Sequence, residues 1–233
     1  MLPETLIPLY LYQGHPPARP TRLYDYLLSA QGLVKRLETP YVSADQLLVP
    51  IETPLTGLRL AEYPLQPVRF KLPRIPGPLL RDALADARRN IELEFMYHFR
   101  FDATNHEWRV TRPEQAQSRT HVGYSFDPTG IVLDLHSHNG MPAYFSGVDD
   151  RDELGGRLYA VMGHLDRGRP ELILRLGFYG TWLYNIPALT IFDDISPFEE
   201  VYLDSAEIAP VEAFEPGPAR GGWLSHLLPW RSR

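Results

Sequence analysis

The sequence predicts an α+β domain, a helix followed by a meandering sheet and further strands, on three observations. Prolines number 23 in 233 residues, enough to break the chain into short elements. One window, 78–90, repeats its apolar residues at helical spacing. Beyond it, several windows alternate apolar and polar residues with the period of two that marks a strand. No apolar run approaches the roughly 20 residues of a membrane helix. The opening "MLPETLIPLYLYQGHPP" lacks the basic start of a signal peptide. The formal charge of −6 argues against a partner held by bulk phosphate attraction. A cytoplasmic protein with neither nucleic acid nor membrane as partner is the expectation.

Taken in order, residues 15–22 read as an extended segment, and "LYDYLLSAQG" (23–32) as a short helix closed by Gly32. Two short strands follow around a turn near Pro40. The stretch 60–78 holds too many prolines for a central strand and reads as a linker or edge. It separates an N-terminal extension or small subdomain over 1–75 from a main domain over 76–212, and 213–233 is a linker with a C-terminal tail. In the helix at 78–90, Pro78 sits where a first-turn proline is tolerated, and Leu79, Leu80, Ala83, Leu84 and Ala87 form the apolar stripe. A strand over 91–101 puts Ile91, Leu93, Phe95, Tyr97, Phe99 and Phe101 on one face and Glu92, Glu94, Met96, His98 and Arg100 on the other. Further strands are expected at 107–113, 119–125, 130–137, 158–164, 171–178 and 181–186. In the tail, "WLSHLLPW" (223–230) is expected to pack on its own domain, and "RGG" (220–222) to be a flexible linker and no self-cleavage point.

The chemistry concentrates in "DLHSHNGMPAYFSGVDDRDE" (134–153). With no cysteine in the chain, any metal must be held by His, Asp or Glu. Strand periodicity puts Asp134, His136 and His138 on one face, so two imidazoles can address one ion. A catalytic zinc takes three protein ligands and leaves a fourth place open. Asp149, 11 residues past His138, lies at the end of a loop long enough to fold back. Ser146 with Asp149 three residues on is also a helix-start pattern, in which the serine caps and the acid fills the first turn. A general base is still needed, and Glu92 and Glu94 both qualify from the polar face of the preceding strand. Asp134 is either an orienting partner for an imidazole or a solvated strand-end acid. His98 and His121 are left outside the ligand set as packed or surface residues, and the acids of "DRDE" read as a first helical turn and not a second cation site.

The ordered set Glu94, "HSH" (136–138) and "SGVD" (146–149) resembles the JAMM motif of the MPN/JAB (Mov34/PAD-1-like) metalloprotease family. The eight-residue step from His138 to Ser146 and the three-residue step to Asp149 are those of the family pattern. The resemblance covers about residues 76–190. It implies an MPN/JAB fold, a cytidine-deaminase-like mixed sheet flanked by helices. It implies one zinc ion on His136, His138 and Asp149, Glu94 as the base in preference to Glu92, and Ser146 as hydrogen-bond donor to the oxyanion. Two departures stand out. Asn139 occupies the place where the family usually has proline, and "FMYHF" replaces the small residues that usually follow the glutamate. The chain is more closely similar to the JAB-like members of bacterial PRTRC cassettes. That similarity implies an isopeptidase or peptidase acting on a ubiquitin-like protein or its conjugates, beside a ThiF-like activating enzyme. The alternatives are a non-catalytic MPN scaffold in such a cassette and a DNA-repair-associated relative, the latter disfavoured by the net negative charge.

Overall fold

The computed structural model of the protein describes residues 7–19, 23–113, 115–117, 122–124 and 130–204. An N-terminal sheet comprises β1 (Leu9–Leu11), β2 (Tyr24–Ser29), β3 (Gly32–Glu38), β4 (Val42–Pro50) and β5 (Arg69–Phe70), ordered in space as in sequence. The helix expected at 23–32 is therefore a correction: it is β2 and the turn into β3. Burial there alternates residue by residue, with Asp25, Leu27 and Ser29 inward and Tyr24, Tyr26 and Leu28 half-buried, which is the period of a strand. Gly32 caps no helix; it opens β3 at φ +145°, where a Cβ would lie 2.1 Å from the Val49 carbonyl oxygen.

The sequence hides this strand because its inward row contains a charge. Asp25 is matched across the hairpin by Arg36, whose Nε donates to Asp25 Oδ1 at 2.7 Å; each residue is 1% exposed. Removing one member of such a pair strands the other in a low dielectric. Asp25→Ala is expected to cost about 3–5 kcal/mol, read as a lower urea midpoint with an unchanged slope.

The rest of the chain forms α1 (Gly77–Arg88), β6 (Met96–Asp102), β7 (Glu107–Thr111), the hairpin β8 (Gln115–Gln117) and β9 (Val122–Tyr124), and then β10 (Ile131–Ser137). After these come α2 (Gly147–Asp152), β11 (Leu158–Gly163), β12 (Glu171–Gly177), β13 (Trp182–Leu183) and β14 (Glu199–Glu200). Helix α1 begins close to where its proline places it, with Pro78 in the first turn. The strand expected from residue 91 starts five residues later, at Met96, because residues 89–93 turn and the Leu93 N–H donates back to Asn90. The second sheet runs β13-β12-β11-β10-β6-β7, with β14 beside β12. It is mixed, β10 being parallel to β11 and antiparallel to β6. The molecule is thus α+β with two mixed sheets and few helices.

One face of the second sheet packs on α1. Leu80, Ala83, Leu84 and Ala87 meet Tyr97, Phe99, Leu133, Leu135, Ala160 and Leu174 in a single buried cluster, each large side chain contributing about 1.5–3 kcal/mol. Leu37, Val42 and Ala44 of the N-terminal sheet belong to the same cluster, so the two sheets share a core. Polar ties reinforce the joint. The ammonium of Lys35, buried among aromatics, donates to the Phe178 and Tyr179 carbonyls and lies 4.2 Å from the Tyr24 ring centre. Burial lowers its pKa to about 8.

The opposite face carries the chemistry. Register places His98, Asp134, Tyr159 and Arg175 in one row across β6, β10, β11 and β12, all of them buried. The neighbouring row is Met96, His136, Val161 and Ile173.

Candidate metal centre

His136 is the penultimate residue of β10, and His138 lies one residue beyond the strand end; each is 4% exposed. Leu133 and Leu135 on the alternate face are held in the core, which fixes the strand's rotation and points the histidines to the other side. Their Nε2 atoms face each other at 3.1 Å. His138 Nδ1 lies 3.2 Å from the Pro142 carbonyl oxygen. A carbonyl can only accept, so Nδ1 carries the proton and the Nε2 lone pair is turned into the site. Burial lowers the pKa of His136 to about 4 against the upward pull of Asp149, and burial also lowers that of His138. Both rings are neutral at pH 7, the state a metal requires.

The Pro142 carbonyl is held by a close approach. The 141–143 chain crosses Gly163 at the end of β11, where a Cβ would lie 2.2 Å from the Ala143 nitrogen. Gly163→Ala is expected to cost about 1–3 kcal/mol of overpacking in a denaturation titration and to loosen the acceptor on which His138 depends. Asn139 follows His138 at φ +53°, a left-handed conformation that asparagine tolerates and that a proline ring, fixed near −65°, does not reach.

Asp149 arrives by helix capping. Ser146 Oγ accepts from the Val148 and Asp149 N–H groups, and Asp149 Oδ2 accepts from the Ser146 N–H at 2.6 Å. This reciprocal box leaves Oδ1 facing His136 Nε2 at 3.5 Å. Burial pushes the Asp149 carboxyl up, but His136 and the hydrogen bonds with Ser146 hold it below the ordinary value. One ligand atom from each of His136, His138 and Asp149 lies within 4.8 Å of the others. Two donors bound to one tetrahedral ion at about 2.0–2.1 Å stand roughly 3.3 Å apart, close to the separations of 3.1 and 3.5 Å found here. The donor set fits a metal ion in nitrogen–oxygen chemistry and in the spacing of those two pairs, with all three ligand atoms within 4.8 Å.

The two glutamates that the strand reading could not separate are separated by the turn before β6. Glu94 is 5% exposed; burial first, and then the charge of Asp149, raise its pKa to about 7. Glu92 is exposed and lines a surface hollow with Ile91, Asn139, Gly140 and Asp166. Asp134 fits neither expectation. It is buried, not solvated, and it faces His98 Nε2 at 3.6 Å and Arg157 Nε at 3.3 Å. Burial raises its pKa to about 6 in spite of Arg157. His98 accordingly lies outside the ligand set. His121, "WLSHLLPW" and "RGG" fall outside the described residues.

Sequence reasoning missed the shell behind the ligands. Tyr144 lies edge-on to His138, with ring centres 4.6 Å apart, and Phe145 edge-on to His136 at 6.5 Å. Arg175 stacks on Phe145, 3.9 Å from its ring centre. The signal available was the single arginine inside the apolar run "ELILRLGF", since a strand buried on both faces admits a charge only when it is paired. No protein-family model matches the chain, and no curated protein matches it.

Proposed function

We propose that the protein is a zinc-dependent hydrolase of the JAMM type, with the MPN/JAB arrangement of its second sheet, acting on a peptide or isopeptide bond at the C-terminus of a ubiquitin-like protein. One observation carries the reading: two neutral imidazoles and a carboxylate bring their ligand atoms within 4.8 Å of one another, His136 lying 3.1 Å from His138 and 3.5 Å from Asp149, beside a buried glutamate with a pKa near 7. His136, His138 and Asp149 would hold the ion. When bound, zinc supplies Lewis acidity toward a water and toward the scissile carbonyl.

The chain's own residues do the rest. Glu94 Oε accepts the proton released as the water attacks and returns it to the departing nitrogen. A carboxyl poised near neutrality suits both transfers. Ser146 Oγ already accepts two backbone N–H bonds, so its hydroxyl hydrogen is left to donate to the developing oxyanion, a contact worth about 3 kcal/mol. The neighbouring rings of Tyr144 and Phe145 restrict water around the histidines.

The substrate class, and a ThiF-like activating enzyme as neighbour, follow from the resemblance of the motif to those of PRTRC cassettes. Among the described residues no helix is long and apolar enough to cross a membrane. The test is to incubate the zinc-loaded full chain with a C-terminal fusion to a ubiquitin-like protein encoded in the same cassette. Cleavage at the junction, lost in Glu94→Ala and kept in Glu92→Ala, supports the reading. A protein purified without chelator that carries no zinc, and gains none on titration, would instead be the non-catalytic scaffold.

A further inference from the structure

We infer that Arg175 is a positioning residue for the metal centre: it grips α2 on both sides of Asp149 and so fixes that carboxylate in front of His136. The inference rests on the reading of Asp149 as a ligand. Helix α2 has six residues and buries none of them. So short a helix has no stability of its own, and a ligand carried on it needs an external anchor.

Arg175 supplies that anchor from the middle of β12, at 0% exposure. Its Nε and Nη2 both donate to Glu153 Oε2, at 2.9 and 2.7 Å. Its Nη1 donates to Asp150 Oδ1 at 2.5 Å and to the Tyr184 hydroxyl at 3.0 Å. Asp150 is the residue next to Asp149, and the Glu153 N–H donates to the Asp149 carbonyl at 2.8 Å. On the near side the guanidinium plane packs on Phe145, the residue before the capping Ser146. Trp182, whose ring centre is 4.9 Å from the guanidinium carbon, lies beside it and donates its indole N–H to the Glu153 carbonyl. One side chain thus holds residues 145, 150 and 153, and Asp149 lies between them. Arginine suits the task because its planar fork meets a carboxylate with two donors while its face stacks on a ring. A lysine offers a point charge with neither property.

The test reads metal and not turnover. Zinc affinity of the full chain is measured by competition with a chromophoric chelator, and the ligand set by the visible absorption of the cobalt(II) form. The variants are Arg175→Met, Arg175→Lys, Asp150→Ala and Asp149→Ala, and the fold of each metal-free protein is checked by circular dichroism. Arg175→Met is expected to weaken zinc about 10–100-fold, the usual effect of removing a residue that orients a ligand. Its cobalt spectrum should shift toward that of Asp149→Ala, with Arg175→Lys recovering part of both. Asp150→Ala, which cuts one link at a half-exposed position and spares the core, should weaken zinc several-fold and decides the matter if Arg175→Met does not fold. Wild-type affinity and an unchanged cobalt spectrum in folded Arg175→Met, or in Asp150→Ala if only that variant folds, overturn the inference. An Asp149→Ala protein that binds zinc like wild type overturns the ligand reading itself, a separate outcome.

Discussion

Glu94→Gln is expected to leave zinc content intact and to lower cleavage of a ubiquitin-like fusion by about 10²–10⁴-fold. The side chain keeps its size and loses only the ability to take a proton. Glu92→Ala, at an exposed position, should change the rate less than twofold by comparison, so the pair of variants isolates the base. The pH dependence has a definite sign. Glu94 in the folded, metal-free protein holds its proton up to about pH 7, whereas the ordinary value is 4.5. The folded state therefore binds the proton more tightly than the unfolded state does. Its stabilising contribution is complete below pH 4.5 and is lost as pH rises toward 7. Metal-free wild type should lose roughly 3 kcal/mol across that window relative to Glu94→Gln, seen by following both chains in denaturant at several pH values. Under the proposed function cleavage has the opposite dependence, since the base must be a carboxylate, and it is expected to fall as pH drops through the Glu94 pKa. A dication on Asp149 cancels part of the negative field that raises that pKa. The acid limb of the proposed cleavage by the zinc-loaded protein should accordingly lie below pH 7. Parallel pH–stability curves for wild type and Glu94→Gln would remove the case for a raised carboxyl.

His138→Ala should abolish zinc binding in the range where wild type saturates, and His136→Ala should do the same. Each takes one of three donors from a site whose members sit within 4.8 Å of one another, and two remaining ligands do not retain zinc against a chelator. The effect extends to stability. An ion that binds only the folded chain adds about 2.7 kcal/mol at a hundredfold excess over its Kd, so zinc should raise the melting temperature of wild type and leave both variants where they were. Because the two rings are neutral in the folded chain, with His136 shifted down to about 4, protons should not compete appreciably with the metal above pH 7. An equal thermal shift in wild type and His138→Ala would place the bound ion elsewhere.

Local patterns in the chain were sufficient for much of this site. The period of two across "IVLDLHSH" sets His136 and His138 on one side, and it is Leu133 and Leu135, of the other phase, that enter the core. The Ser146–Asp149 spacing forms the capping box it suggests. Both depend on residues within a few positions of each other, where backbone geometry alone decides direction. Sequence reading failed where a partner lies far along the chain. Residues 23–32 read as a helix closed by Gly32, whereas they form a strand whose inward row holds Asp25, paired with Arg36 across the hairpin. Glu92 and Glu94 share a strand phase, and a turn at 89–93 with no strong sequence signature separates them. Asp134 passed for either a helper of the paired histidines or a solvated acid, and its actual neighbours are His98 of β6 and Arg157, in the bend before β11.

By itself the sequence determined the types of donor, their order and the faces from which they project, because these follow from bond geometry over two to four residues. The tertiary structure alone decided which glutamate is desolvated beside Asp149, how far apart the candidate ligand atoms stand, and that a buried arginine from β12 pairs with Asp150 and Glu153 next to Asp149. Desolvation and long-range pairing depend on which strands become neighbours, and that is set by the packing of a core shared between two sheets.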